Sequence, residues 1–257
     1  MTTARGGAAV AGDTTAYPDE RRHEDGHGLW VDRTRVVLTP LAAPSILGLF
    51  GFFTATVMVG TNLAGWWGNA QSPMILWPFA LMAGGVAQFL AGMWAYRARD
   101  GVATAMHGIW GSFWLGYGVL WLLIATHVLP MTPLGKSNIA LAMWFVALCA
   151  ITGSGALASL GDSLGITSVL VPLAAGSGLF AVGLWGGWVT IDRIAGWLFV
   201  ASAAAAWYVA SAMMLAGATG RTILPLGKYS KAANVPMRRP MAPIEYEHGE
   251  PGVKAGQ

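Results

Sequence analysis

The sequence predicts an all-α, polytopic membrane protein with six transmembrane helices, and three observations carry that expectation. Apolar residues make up 55% of the chain and charged residues only 11%, against roughly 25% charged in an ordinary soluble domain. Between Val36 and Gly220 the only charges are Arg97, Arg99, Asp100, Lys136, Asp162, Asp192 and Arg193, each at the edge of an apolar block or between two blocks. Lipid demands that exclusion, because an ionised group in hydrocarbon is strongly unfavourable. Blocks near 20 residues, the length that crosses roughly 30 Å of hydrocarbon, recur six times.

Residues 1–43 are polar, glycine-containing and mixed in charge, and read as a flexible cytoplasmic tail. Pro40 and Pro44 punctuate the approach to a first helix expected over 46–67. The uncharged loop GNAQSP returns the chain to a second helix, 74–95. After Tyr96, Arg97, Arg99 and Asp100 comes the third, 104–126; Pro130 and Pro133 mark the next turn. The fourth is expected over 138–159, the fifth over 166–188 and the sixth over 194–218. These bound a transmembrane domain over 44–220, followed by a cytoplasmic tail over 221–257. Trp66, Trp67, Trp77, Trp94, Trp188 and Trp197 lie near predicted helix ends, where amphipathic rings favour the interface.

Basic residues give an orientation. Arg33, Arg35, Arg97, Arg99, Arg221, Lys228 and Lys231 fall on one side and Lys136 and Arg193 on the other. The positive-inside bias therefore puts both termini in the cytoplasm of a cell inner (plasma) membrane. That placement accounts for the net charge of +3 without a nucleic-acid partner. The first forty residues contain no apolar run of the kind that forms a secretory signal. Cys149 stands alone and makes no internal disulfide.

Glycines such as Gly48, Gly51, Gly84, Gly85, Gly183 and Gly187 suit close helix approach, since lipid supplies no hydrophobic drive between helices. TPLGKS at 132–137 and LPLGKY at 224–229 each follow a third helix, on opposite sides of the membrane. A 3+3 inverted repeat would place them so; chance similarity of two turns explains them equally well.

No enzyme signature is present: no HExxH, no CxxC, no nucleotide-binding glycine loop and no intramembrane carboxylate pair. No cofactor is expected. His107 and His127 would lie about 30 Å apart in one helix, too far to share a metal. Among polar side chains in the spans, Asn62 and Gln88 are the costliest to bury and the strongest candidates for solute contact, with Ser112 a further one. No acid falls inside the expected spans, and His107 alone could titrate near a helix start. Proton coupling would then travel with an undissociated weak acid, or through His107 and water.

Several motifs together resemble the acetate uptake transporters, the Gpr1/Fun34/YaaH family. Ala43-Pro44-Ser45-Ile46-Leu47-Gly48-Leu49 leading to Gly51-Phe52 is similar to the family's first-helix signature, without its leading Asn and second Pro. Gly84-Gly85-Val86-Ala87-Gln88-Phe89-Leu90-Ala91-Gly92 resembles its GG-x-x-Q-x-x-AG pattern, and Gly111-Ser112-Phe113-Trp114 its G-x-FW. Gly220-Arg221-Thr222-Ile223-Leu224-Pro225-Leu226-Gly227 resembles its GRT-x-LP-x-G. The resemblance implies six helices around a pore, assembly as a homo-oligomer (a hexamer), and a constriction of Phe, Tyr and Leu. Those positions carry over to Phe52, Trp110 and Leu173, with an indole where the family has a phenol. The chain also departs from the family at Ala95, in place of a Glu, and at Ala216-Gly217, in place of Asn-Glu.

The resemblance therefore implies a secondary transporter or channel for acetate or a similar small monocarboxylate, with proton linkage open. Phe52, Trp110 and Leu173 would form the gate and Asn62 and Gln88 the transient polar contacts. Transport of ammonium, succinate or a neutral solute stays open, as does an accessory subunit that has lost transport, which Ala43, Ala95 and Ala216 would motivate. The partners expected are a small solute, membrane lipid and further copies of the chain.

Overall fold

The computed structural model describes residues 42–69, 71–131, 135–161 and 163–228. Six helices long and apolar enough to cross a membrane fill the described chain. They are α1 Ser45–Leu63, α2 Ser72–Ala98, α3 Gly101–Ala125, α4 Ile139–Ser159, α5 Leu164–Gly186 and α6 Val189–Thr219. Arg33, Arg35 and Lys231, which enter the orientation count, and most of both expected tails lie outside the described residues.

Helix ends follow local chemistry. Asp100 caps α3 by accepting from the Ala103 N–H at 2.8 Å, and Asn138 caps α4 by accepting from Leu141 at 3.1 Å; each satisfies an N–H that the helix leaves unpaired. Gly187 and Gly220 end α5 and α6 at φ 68° and 64°, a left-handed turn that only glycine makes without strain. α1 stops at Leu63, so Trp66 and Trp67 sit in the turn beyond it rather than in the helix. The sixth helix begins at Val189 instead of near 194, which brings Asp192 and Arg193 inside it.

The second helix is not regular. Its middle, Ala80–Ala87, is a π-helix between α-helical ends Ser72–Phe79 and Gln88–Ala98. Pro78 lies just before it and has no N–H to give the preceding turn. Gly84 and Gly85 then leave little side chain to resist the wider i→i+5 pattern. The Ala83 carbonyl meets α1 where Gly51 has no Cβ to obstruct it.

The helices pack in chain order around a ring that closes through α6 against α1, and the α3–α4 seam is its sparsest neighbouring pair. Aromatic side chains bridge that seam: Phe113 of α3 meets Phe145 of α4 edge-on at 5.3 Å. Phe145 continues to Phe180 of α5 at 4.7 Å. Edge-to-face pairs of this kind each add about 0.5–1.5 kcal/mol beyond their buried area. On the opposite side α6 meets α1 through small side chains, and a Cβ on Gly196 would come within 2.5 Å of the Ala64 nitrogen. Outward-facing residues such as Ile75, Phe79, Trp94, Leu157 and Trp185 are large, apolar and exposed, as a lipid-facing surface requires.

The described part of the first of the two similar segments, residues 135–137, and the second segment, residues 224–228, sit at opposite ends of α5. After α6, the chain folds back so that Leu226 and Gly227 carbonyls accept from the Gly165 and Leu164 N–H groups at 2.9 and 3.2 Å. The Ser163 hydroxyl also donates to Leu226 at 2.8 Å, and Tyr208 anchors the segment by donating to the Pro225 carbonyl at 2.9 Å. Residues 221–228, expected at the start of a tail, thus cap the first turn of α5. At the other end, Ser137 donates to the Trp185 carbonyl at 2.8 Å, and the Asn138 N–H donates to Leu184 at 2.9 Å.

Candidate functional site

Inside the ring, α1, α2, α3 and α5 meet at one small cavity of about 30 Å³. Phe52, Trp110 and Leu173 line it together with Gln88 and His107. Leu49, Met106, Val169 and Leu170 complete the apolar wall. That volume holds one or two water molecules, so the passage is closed here to anything the size of a carboxylic acid.

Each of these side chains has a local reason for its place. Phe52 lies one turn from Gly48 on the buried stripe of α1 and packs edge-on to Trp110, with ring centroids 5.9 Å apart at 79°. Trp110 is 3% exposed, and its indole N–H donates to the Thr152 hydroxyl of α4 at 3.0 Å. The ring is thereby pinned across the α3–α4 seam. Leu173 follows Pro172, which removes one backbone hydrogen bond from α5 at this level. Gln88 is the first residue after the π segment and is 2% exposed. The change of winding sets the direction in which its amide leaves the helix, a role that π segments often take at functional sites.

His107 lies flat against α1. A Cβ at Gly48 would come within 2.5 Å of its Cε1 and 2.6 Å of its Nδ1, so the imidazole occupies the volume that glycine leaves empty. It is 5% exposed. Neither the Gln88 Oε1 nor the His107 Nδ1 has a hydrogen-bond partner. A buried polar atom without a partner costs about 1–3 kcal/mol, and the two residues that hold these atoms both line the one cavity.

The structure brings together five of the candidates read from the sequence: Phe52, Gln88, His107, Trp110 and Leu173. It does not bring Asn62 or Ser112 there. Asn62 lies at the last turn of α1 and donates to the Trp67 carbonyl at 3.0 Å, holding the turn that follows. Ser112 is exposed and returns its hydroxyl to the Gly108 carbonyl at 2.8 Å, the local bond that transmembrane hydroxyls favour. Sequence reasoning missed Thr152 as the partner of Trp110, 42 residues away. It also missed Asp192, which is buried with its Oδ1 unpartnered.

Comparison with known proteins agrees with this architecture. The GPR1/FUN34/yaaH family matches residues 29–227. The succinate-acetate/proton symporter SatP of Escherichia coli K12 is 29% identical over 194 residues, 74% of this chain and 97% of that protein. An uncharacterised protein of Methanothermobacter thermautotrophicus is 29% identical over 202 residues, 75% of this chain and 95% of its own length. The structure of the bacterial acetate channel SatP superposes with a TM-score of 0.66 at 27% identity, covering 73% of this chain and 100% of that one.

Proposed function

The chain belongs to the GPR1/FUN34/yaaH family, and on that premise we propose that it passes acetate or a similar small monocarboxylate across a membrane through the cavity between α1, α2, α3 and α5. Its similar relatives are a transporter and a channel rather than enzymes. The observation that carries the reading is the meeting of Phe52, Trp110 and Leu173 around one small cavity with Gln88 and His107, each of which buries a polar atom without a partner.

The physical logic is a balance. Rings and a leucine exclude water and larger solutes, while Gln88 and His107 give a carboxyl group hydrogen bonds that replace part of its hydration. Passage requires binding favourable enough to enter and weak enough to leave. A side-chain amide and an imidazole meet that condition better than a buried Lys or Arg, whose ion pair with a carboxylate would hold the solute. Because the cavity is closed, Phe52 and Leu173 swing aside as solute passes, with Trp110 held by Thr152.

The protein resides in the cell inner membrane with both termini cytoplasmic. The support is the distribution of basic residues, including Arg97, Arg99, Arg221 and Lys228 at one set of helix ends and Lys136 and Arg193 at the other. It assembles as a homo-oligomer, a hexamer by family resemblance, with a path in each protomer.

Radiolabelled acetate uptake into proteoliposomes, compared with protein-free liposomes and with an inward proton gradient present or absent, tests the reading. Protein-dependent uptake that unlabelled acetate and propionate suppress is expected. No flux above protein-free liposomes from correctly folded protein would contradict it, and co-purification with a stoichiometric partner would then favour an accessory subunit.

A further inference from the structure

We infer that Asp192 is a proton-binding site through which transport is linked to protons, at the end of the bundle where α5 finishes and α6 begins. The inference rests on the transport reading above and adds a site that lies apart from the constriction. Asp192 is in the first turn of α6 and only 6% exposed. Its Oδ1 has no hydrogen-bond partner. It lies on the bare Cα of Gly183 in α5, where any Cβ would collide with that oxygen.

The position faces the interior of the ring. Asp192 and Phe199 are seven residues apart and share one stripe of α6. Phe199 reaches Phe180 at 6.1 Å and Phe145 at 6.4 Å, which places the stripe over the aromatic interior. Gly183 lies ten residues beyond Leu173 on α5, or about 15 Å along the axis. The carboxyl therefore guards the approach to the constriction from one side, the outer side under the orientation given by the basic residues.

The chemistry around it selects the ligand. Neither α5 nor α1, the two helices packed on α6, carries a titratable side chain. Arg193, the next residue, is exposed and runs its Nε along Gly65; Lys136, before α4, is also exposed. Among the described residues no group of three or more His, Cys, Asp and Glu side chains could cage a metal with it. An ionised carboxylate buried without a partner is strongly unfavourable, and a proton is the one cation that needs no further oxygen ligands. When α5 and α6 separate and water enters, the positive N-terminal end of α6 favours the ionised form. A proton from water on that side binds the carboxylate oxygen and the helices close over Gly183; release returns it to water when they part. Binding thus biases this end between closed and hydrated states.

Asp192→Asn is isosteric and mimics the protonated state. It is examined in the proteoliposome assay and by infrared difference spectroscopy of wild type minus variant across pH. A protonated-carboxyl band that converts to a carboxylate band as pH rises is expected. So is loss of the proton-gradient acceleration, to about one-fold from the wild-type value, with acetate exchange at equal pH retained. Acceleration in Asp192→Asn equal to wild type, or absence of any titrating band, would overturn the inference. If the wild type moves no acetate, the transport reading has failed, and the proton site fails with it as a coupling site even where the band titrates. If that variant loses folding, judged by its elution profile, Asp192→Ser takes its place in the same infrared difference. The chain holds twelve Asp and Glu side chains, and only the difference assigns the band: a titrating band absent from the variant supports the site, and none overturns it.

Discussion

In α4, α5 and α6 the buried hydroxyls are spent on the protein itself. Ser159 and Thr167 share a hydrogen bond of 2.9 Å between α4 and α5, Ser202 of α6 donates to the Val169 carbonyl of α5 at 2.8 Å, and Ser177 returns to Leu173 at 2.8 Å. In α1, α2 and α3, Thr56, Gln88, His107 and Trp114 each bury a polar atom that has no partner. The first three helices also contain the π segment and the glycines that admit it. With the exception of Asp192 in α6, whose Oδ1 is also unpartnered, the buried polar groups of the second half are hydrogen-bonded within the protein, whereas four side chains of the first half keep a polar atom without a partner. A wall that must hold its shape satisfies its hydrogen bonds internally, whereas a wall that must exchange partners keeps some unsatisfied and is held by packing.

The comparison can be broken at several points. The largest effect is expected from Trp110→Ala, which removes a buried indole, its contacts with Phe52 and Phe113, and its bond to Thr152. Thermal or denaturant unfolding in detergent should register a loss of about 3–5 kcal/mol, and bulkier acids should compete better for uptake. Unchanged solute discrimination would remove Trp110 from the gate.

Next in size is Gly111→Ala. Its Cβ would lie 2.7 Å from the Phe89 nitrogen, against the backbone of α2 just beyond Gln88, so a cost of about 1–3 kcal/mol and reduced uptake are expected. Gly153→Ala in α4 meets nothing within 4 Å and should be neutral or stabilising by about 0.5–1 kcal/mol. Equal melting temperatures for the two variants would show that Gly111 does not set the close approach of α3 to α2 beside Gln88.

A smaller effect is expected from Ser159→Ala, which breaks the bond to Thr167 and should cost about 1 kcal/mol with acetate exchange unchanged. Loss of exchange at wild-type stability would reverse the assignment of the two halves.

How much of this could be read from the sequence depended on the kind of signal. The six helices were legible because charge exclusion acts over whole blocks and does not depend on partners. Gln88 and His107 stood out because an amide and an imidazole are rare inside apolar runs. Ser112 was separable by phase: it lies two residues from Trp110, about 200° round the helix, and so points away from the cavity. Asn62 was not separable, since its turn back to Trp67 depends on how the chain leaves α1. Asp192 was missed because Trp188 at the N-cap gives no capping signal, and α6 starts earlier than the charges at 192 and 193 suggest. Thr152 needed the α3–α4 pairing, a tertiary fact. The π segment was hinted at only by Pro78 and the Gly84-Gly85 pair.

The most direct test pairs acetate exchange with thermal stability for Gln88→Leu. The substitution removes an amide whose oxygen is buried without a partner, so the melting temperature should hold or rise. Exchange should fall about tenfold or more, the equivalent of roughly 1.4 kcal/mol of lost solute contact. Wild-type exchange in a protein of unchanged stability would contradict the account, because the cavity between α1, α2, α3 and α5 would then not be the path.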